Sequence, residues 1–342
     1  MKAREIVLAQ IQHRETCPVP YTLPFEGDVA ERLDAYYGGS QWRKRLTRYV
    51  DITMIVDGDK KGIVEGKGSQ RDPYGSIWRT DQRAFRLERP ALPEPTLAGY
   101  RWPAPDVFFG DAACVAGAKQ FCRDRQGQTF LGVWLGWGLF ETSWGLRGFE
   151  NVMMDVATET YFYEALLERI MEQYLVFIDF ICTTLPEIDA IFLGDDWGDQ
   201  RGVIIGPERW RALFKRRYAR IYEAIHARGK LVISHSCGSV ADILPDLIDI
   251  GLDVLESVQP EAQGMNPYEL KKRWGDKIAF WGGLGSQSMI PFGTPLQLCD
   301  EIQHLRTEMS RGGGYILAPS KALQPGTPTE NAAAILEAFV NA

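Results

Sequence analysis

The sequence predicts an α/β protein folded as a single (β/α)8 TIM barrel over residues 1–342, with the stretch 57–128 as an irregular excursion over the barrel mouth. Three observations carry that prediction. A unit made of a β-branched or aromatic run, a polar or Gly-rich turn and an amphipathic helix recurs through the second half. Adding the earlier apolar runs gives about eight strands, most of them followed by a helix, which is the barrel's count. No G-x-G-x-x-G turn opens a βα unit, so an open doubly wound sheet with a dinucleotide crevice ranks second.

Taken in chain order, the expected strands are 19–23, 50–56, 130–134 and 189–193, the last two flanking a long helix from about Glu159 to Thr184. Pro207 then stands at a first helical turn, and Trp210, Leu213, Phe214, Tyr218, Ile221, Tyr222 and Ile225 recur at steps of three and four. Gly229 ends that stripe. The next units pair a strand at 231–234 with a helix at 240–250, and a strand at 253–256 with a helix begun by Asn266 and Pro267. Strand 277–281 leads to a helix opened by Thr294-Pro295. The final strand, 315–318, is followed by Thr327-Pro328-Thr329-Glu330, which reads as a capping box.

Charge and composition narrow the function. Lys and Arg number 38 against 45 Asp and Glu, a formal charge of −7, and a field of that sign repels phosphate backbones and anionic lipid. Nucleic-acid and membrane-surface binding therefore drop out. The most apolar stretch, 174–185, is interrupted by Asp179 and falls short of the roughly 18 residues that span a bilayer. The N-terminus mixes charges into its apolar residues and lacks a secretory h-region, so a cytoplasmic protein is expected. Its six cysteines contain no C-x-x-C pair and read as buried, reduced thiols, with room for one functional one among them.

In a parallel barrel, residues just past the strands' C-terminal ends converge on one face. Those positions hold Trp137 and Glu141, the run 194–200, His235-Ser236-Cys237-Gly238, Glu256 and Gln259, Gly282 to Gln287, and Ser320-Lys321. His235-x-Cys237 offers imidazole and thiolate from one extended turn, and zinc takes both. Alone, such a pair is as well read as a buried thiol beside a hydrogen-bonded histidine. Glu256, ending the next stave, would complete three protein ligands and leave a fourth position open. Asp195 and Asp196 are adjacent, so one of them faces the pocket. We take Asp196 as that one and as a catalytic acid or base, with Glu141 and Lys321 beside it. Trp137, Trp197, Gln200, Gln259 and Gln287 are the candidate substrate contacts; Trp134, Trp137, Trp197 and Trp281 sit near strand ends where they could line a flat apolar cavity, with barrel-core packing the better explanation for at least two of them.

At these residues the chain resembles the uroporphyrinogen decarboxylase superfamily, in particular its corrinoid-linked methyltransferase branch. The likeness runs from Arg4-Glu5-Ile6-Val7-Leu8 through His13-Arg14-Glu15 and Pro18-Val19-Pro20. It continues in Gly194-Asp195-Asp196 with Gln200, in His235-Ser236-Cys237-Gly238-Ser239, in Gly282-Gly283 with Gln287, and in Gly312-Gly313-Gly314-Tyr315-Ile316-Leu317. The arginine-rich N-terminal segment of the decarboxylase proper is missing. The branch's H-x-C is matched by His235 and Cys237, whereas the later ligand cysteine is replaced by Ser320 and Lys321. The related cobalamin-independent methionine synthase carries a glutamate similar to Glu256.

The resemblance implies a corrinoid-dependent methyltransferase that uses zinc and a small methoxy, thio or amine substrate, and it admits a homodimer. No D-x-H-x-x-G signature surrounds His13, His226, His235 or His304, so the corrinoid would arrive on a separate protein. Two other readings stay open. One is a decarboxylase or other lyase with Asp196 as acid and Lys321 as anion anchor; the other is a catalytically silent barrel that binds a ligand.

Overall fold

A computed structural model of the chain describes residues 1–57, 63–66, 68–81, 85–158 and 161–341. Its frame is a parallel sheet of seven strands, β1 (Val50–Thr53), β6 (Phe130–Trp137), β7 (Ala190–Gly194), β8 (Leu231–His235), β9 (Val254–Val258), β10 (Ala279–Leu284) and β11 (Tyr315–Pro319), hydrogen-bonded in that order. Strands β7, β10 and β11 are buried along their whole length. That explains their continuous apolar runs, since both faces of a barrel strand meet packed side chains.

The segment 19–23, expected as the eighth strand, is reduced to one parallel bridge between Tyr21 and Leu317. Its sequence gives the reason. Pro18, Pro20 and Pro24 carry no N–H, so only alternate residues can feed a ladder. Thr22 N–H donates to Leu317 and Leu317 N–H to Pro20, both at 2.9 Å. On the other side the join to β1 is made by side chains: Thr47 N–H donates to Tyr21 Oη at 2.9 Å, and the Tyr21 and Tyr49 rings meet edge to face at 5.3 Å. Seven strands and this stave complete the TIM barrel.

The stretch 57–128 is more regular than expected. It holds an antiparallel four-stranded sheet of β2 (Ile63–Gly66), β3 (Ser69–Arg71), β4 (Ile77–Arg79) and β5 (Arg86–Arg89), and then a helix at Ala112–Arg125 capped by the Asp111 carboxylate. These strands are only three or four residues long, and β3 and β5 are polar, so they are too short to show the apolar alternation that marks a strand in sequence. The sheet leans on the helix that follows β6, Leu139–Arg147: Ser76 Oγ donates to the Gly145 carbonyl at 2.8 Å, and the rings of Trp78 and Trp144 lie 6.3 Å apart.

Helix boundaries follow the punctuation at most places. The Asn266 side chain accepts from Tyr268 and Glu269 N–H, and Thr294 with Gln297 forms a reciprocal capping box. The long helix is described over Tyr161–Thr184; Glu159 lies outside the described residues. The helix expected at 240–250 is confined to Leu244–Asp249. The capping box at Thr327 does not form. The last helix starts at Thr329 with Pro328 at its cap, and Arg32 instead grips this terminus through the Thr327 carbonyl and the Thr329 hydroxyl. Buried apolar side chains from every part of the chain make one contiguous core, and among the described residues no helix is long and apolar enough to cross a membrane.

Candidate active site

The site is built where β6, β7, β8 and β9 end. Two consecutive aspartates after β7 divide the labour. Asp195 is fully buried and accepts four hydrogen bonds: from Phe140 N–H at 2.9 Å, Glu141 N–H at 2.8 Å, Trp197 Nε1 at 2.9 Å and Tyr218 Oη at 2.5 Å. Its carboxylate thus closes the N-terminus of helix Leu139–Arg147, where free N–H groups and the helix dipole both favour an anion. Burial raises its pKa to about 6, with the four donors pulling the other way. Gly138 is required for this approach, because a Cβ there would collide with Tyr218 Oη and the Asp195 side chain.

Asp196, the next residue, points to the strand ends. Its Oδ1 accepts from Cys237 N–H at 2.7 Å and lies 3.6 Å from His235 Nε2. Cys237 Sγ is 3.4 Å from the same nitrogen. One donor atom from each of Asp196, His235 and Cys237 falls within 4.8 Å of the other two, with all three side chains half-buried. On the far side of the ring, His235 Nδ1 is bonded to the Glu256 carboxylate. Burial disfavours a charged imidazole, but the Glu256 charge and the hydrogen bonds to Cys237 and Glu256 together outweigh it, and the His235 pKa stands well above the usual histidine value.

The turn carrying these donors is fixed by its own chemistry. Gly238 adopts a φ of +72° and backs onto the Gly198 backbone, which leaves no room for a Cβ. Its N–H donates to Gln259 Oε1 at 2.7 Å, and Trp197 N–H donates to Ser236 Oγ at 3.1 Å. Glu141, from the helix that Asp195 caps, reaches over Asp196 and accepts from its N–H at 3.2 Å. Burial, and then the charges of Asp195 and Asp196, push the Glu141 pKa up to about 9. Glu141 and Asp196 line a cavity of about 270 Å³, whose other walls are Phe140, Trp144, Phe149 and Ile204.

The remaining candidates are scattered. Trp137 is half-buried at the end of β6, edge to face with Trp134. Trp197 is 2% exposed, and its ring packs on Trp210 and Tyr218 in the helix layer, not on the cavity. Trp281 is buried with its indole N–H on Thr22, as a strut of the barrel. Gln259 holds the Gly238 turn. Gln200 and Gln287 are exposed. Lys321 is also exposed, and the ion-pair partner of Asp196 is His235, not Lys321. Ser320, where the branch's second ligand cysteine would stand, is buried and bonded to the Leu284 carbonyl. Sequence reasoning missed Tyr218, Phe140, Trp144, Phe149 and Ile204. Tyr218 was hidden in an apolar stripe, and the rest lie beyond the strand ends on which the search was centred.

The donor set fits zinc. At about 2.3 Å from sulfur and 2.0–2.2 Å from nitrogen or oxygen, tetrahedral geometry separates neighbouring donors by roughly 3.3–3.6 Å. The two separations that involve His235 Nε2, 3.4 and 3.6 Å, match, and the Asp196 and Cys237 donors lie within 4.8 Å of each other. The family model for uroporphyrinogen decarboxylase (URO-D) matches residues 139–341, more than half of the chain.

The chain belongs to the uroporphyrinogen decarboxylase family.

Within it, the chain is 28% identical over 138 residues to "Methylcobamide:CoM methyltransferase MtaA" of Methanosarcina barkeri, and equally to the same protein from strain Fusaro. The aligned part is 40% of this chain and spans 37% of those relatives' length. A solved "methyltransferase from Methanosarcina mazei" superposes with a TM-score of 0.69 at 20% identity, covering 99% of this chain and 98% of that one, which establishes a shared fold.

Proposed function

We propose that this protein is a methyltransferase that moves a methyl group from a small methylated substrate to a corrinoid carried by a separate protein, with zinc at Asp196, His235 and Cys237. The convergence of those three donors beside an acid-lined cavity carries this reading, and the partial similarity to MtaA supports it. Zinc, when bound, would draw electron density from the heteroatom that bears the methyl group, so that the carbon–heteroatom bond breaks with its electron pair left on the heteroatom while a reduced corrinoid supplies the pair for the new bond.

The chain's own residues prepare that event. Glu256, held on Nδ1, orients the His235 ring so that Nε2 faces Cys237 and Asp196, where it would give up its proton to bind zinc. Asp196 stands where the branch pattern has a second thiolate elsewhere in the chain, giving an oxygen, nitrogen and sulfur donor set. One thiolate and one carboxylate together neutralise a dication, so the centre holds no surplus negative charge. Glu141 overhangs the heteroatom's place in the cavity, and its position over Asp196 is set by Asp195 through the helix N-terminus. Phe140 and Ile204 wall off water.

The test mixes purified protein, a reduced corrinoid carrier and a panel of methylated compounds, and follows the corrinoid's visible spectrum. Conversion to the methylated form supports the reading. Release of carbon dioxide from carboxylate substrates, with no methyl transfer, would replace it with a lyase.

A further inference from the structure

The net charge of −7 is not spread evenly over the chain. At the N-terminal ends of the strands, opposite the candidate active site, a cavity of about 570 Å³ opens between the turn that leads into β10 and the turn that leads into β11. Five cationic side chains line it, Lys271, Lys272, Arg273, Lys277 and Arg311, against one carboxylate, Asp276. Two segments that carry the family likeness but take no part at the catalytic end, His13-Arg14-Glu15 and Gly312-Gly313-Gly314, meet beside it.

Those two segments give the cavity its shape. The three glycines have φ of +71°, +81° and +79°, and His13, at +54°, is the one non-glycine residue with a positive φ among the described residues. A Cβ on Gly313 would collide with the His13–Arg14 backbone. The loop's amides are engaged within the fold: Gly312 N–H donates to Glu15 at 2.9 Å, Gly313 N–H to the Ser310 carbonyl at 2.8 Å and Gly314 N–H to the Gln10 carbonyl at 2.6 Å. Lys271 braces the same loop by donating to the Gly313 carbonyl. A ligand here is therefore held by side chains, and Lys272, Arg273 and Lys277 are the ones left to hold it. All three are exposed, and among the described residues none has an ion-pair partner.

Arg273 and Lys277 stand 5.0 and 5.4 Å from the centre of the Trp274 ring, contacts that hold the two cations in place without neutralising them. Arg311 is 68% exposed and paired with Glu308 at 3.0 Å. The partial negative charge at the C-terminus of helix Pro267–Trp274 accounts for the three basic residues of its last turn. It does not account for Lys277 or Arg311, which come from outside the helix, nor for the concavity. A space of this size lies in the range of small-molecule sites, and ammonium and guanidinium groups converging from separate segments suit phosphate oxygens. We infer that this cavity binds a small, multiply phosphorylated anion, at the end of the barrel away from the methyl-transfer site. A chain of phosphates carries enough charge to engage several of these cations together; a single phosphate does not.

The experiment is calorimetric and needs no turnover, so its outcome is independent of the methyltransferase reading. Full-length protein at low ionic strength is titrated with tripolyphosphate, with ATP and with inorganic phosphate. The proposal expects binding of the first two, with inorganic phosphate at least tenfold weaker. ATP tighter than tripolyphosphate would add a nucleoside to the ligand; equal affinities would assign the site to the phosphate chain alone. Lys272→Glu and Lys277→Glu, both at exposed positions, should each weaken tripolyphosphate binding about tenfold, with thermal melts confirming that each variant folds. Lys119→Glu makes the same change of charge at an exposed lysine of helix Ala112–Arg125 and should leave binding as it is. Cys237→Ala should also leave it unaltered, and that variant removes any heat from capture of zinc by the phosphate chain. Absence of polyphosphate binding, inorganic phosphate binding as tightly as tripolyphosphate, a loss in Lys119→Glu equal to that in the two cavity variants, or a loss in Cys237→Ala overturns the inference.

Discussion

Glu256 and His235 are joined through the imidazole Nδ1, so that the ring's other nitrogen, Nε2, is left facing Cys237 and Asp196. This relationship decides what each acid at the strand ends can do. Sequence position suggested Glu256 as a metal ligand. In the folded chain its carboxylate already holds the ring nitrogen that faces away from Cys237, the arrangement by which carboxylates orient and strengthen histidine ligands. Glu256→Gln should therefore weaken zinc binding by about 10–100-fold while leaving a detectable site. Competition against a chromophoric chelator reads this, and Asp196→Ala should show the larger loss.

Asp195 should matter for stability more than its silent position in the sequence suggests. Replacing it by Ala strands four buried donors, on Phe140, Glu141, Trp197 and Tyr218. Each unsatisfied group costs about 1–3 kcal/mol, so the sum should exceed roughly 3 kcal/mol. Tyr218→Phe removes a single bond to a charged acceptor and should cost roughly 1.5–3 kcal/mol. Urea unfolding midpoints at unchanged slope would check both.

Lys321 is a rim residue in this geometry. Lys321→Ala should leave zinc content as it is, because the ammonium is exposed and the charge facing Asp196 is that of His235. Metal analysis of the purified variant decides it; a loss of zinc would place Lys321 in the site's support.

A fourth expectation concerns acid. Glu337, on the last helix, accepts from both terminal nitrogens of Arg45 at 2.7 and 2.6 Å, from Tyr37 Oη and from Asn341. The Arg45 bond foremost lowers its pKa from 4.5 to about 2. A depressed carboxyl stabilises the fold above its unfolded pKa and stops doing so as pH falls through the folded value. Glu337→Gln should accordingly lower the Tm at neutral pH by roughly 1–2 °C, a small shift because the pair is well exposed. The difference from wild type should fade between about pH 4.5 and pH 2. Thermal melts across that range test it.

How far the sequence spoke depended on where each interaction lives. Strands β7 to β11 could be read because buried staves need unbroken apolar runs, and that His235, Cys237 and Asp196 lie at one end of the barrel could be read because they end those staves. The stave at 19–23 overstated itself, since three prolines remove the donors a strand needs. The sheet β2 to β5 was invisible because strands of three or four residues, some of them as polar as Arg86–Arg89, are too short to carry an alternation. Within the site, the choice between Asp196 and Glu256 beside Cys237 turns on a side-chain rotation of His235, which no spacing encodes. The contact of the sheet with the helix was equally hidden, because Trp78 and Trp144 are 66 positions apart by number and meet only when the sheet lies on the helix.

The measurement that bears hardest on this account is the zinc content of protein purified from cells grown with ample zinc, in wild type and in Cys237→Ala. The account expects about one zinc per chain in the wild type and its near-complete loss in the variant, since one of three protein ligands is gone. A folded wild type that carries no metal, or a Cys237→Ala protein that keeps it all, would show that Asp196, His235 and Cys237 are not a metal centre.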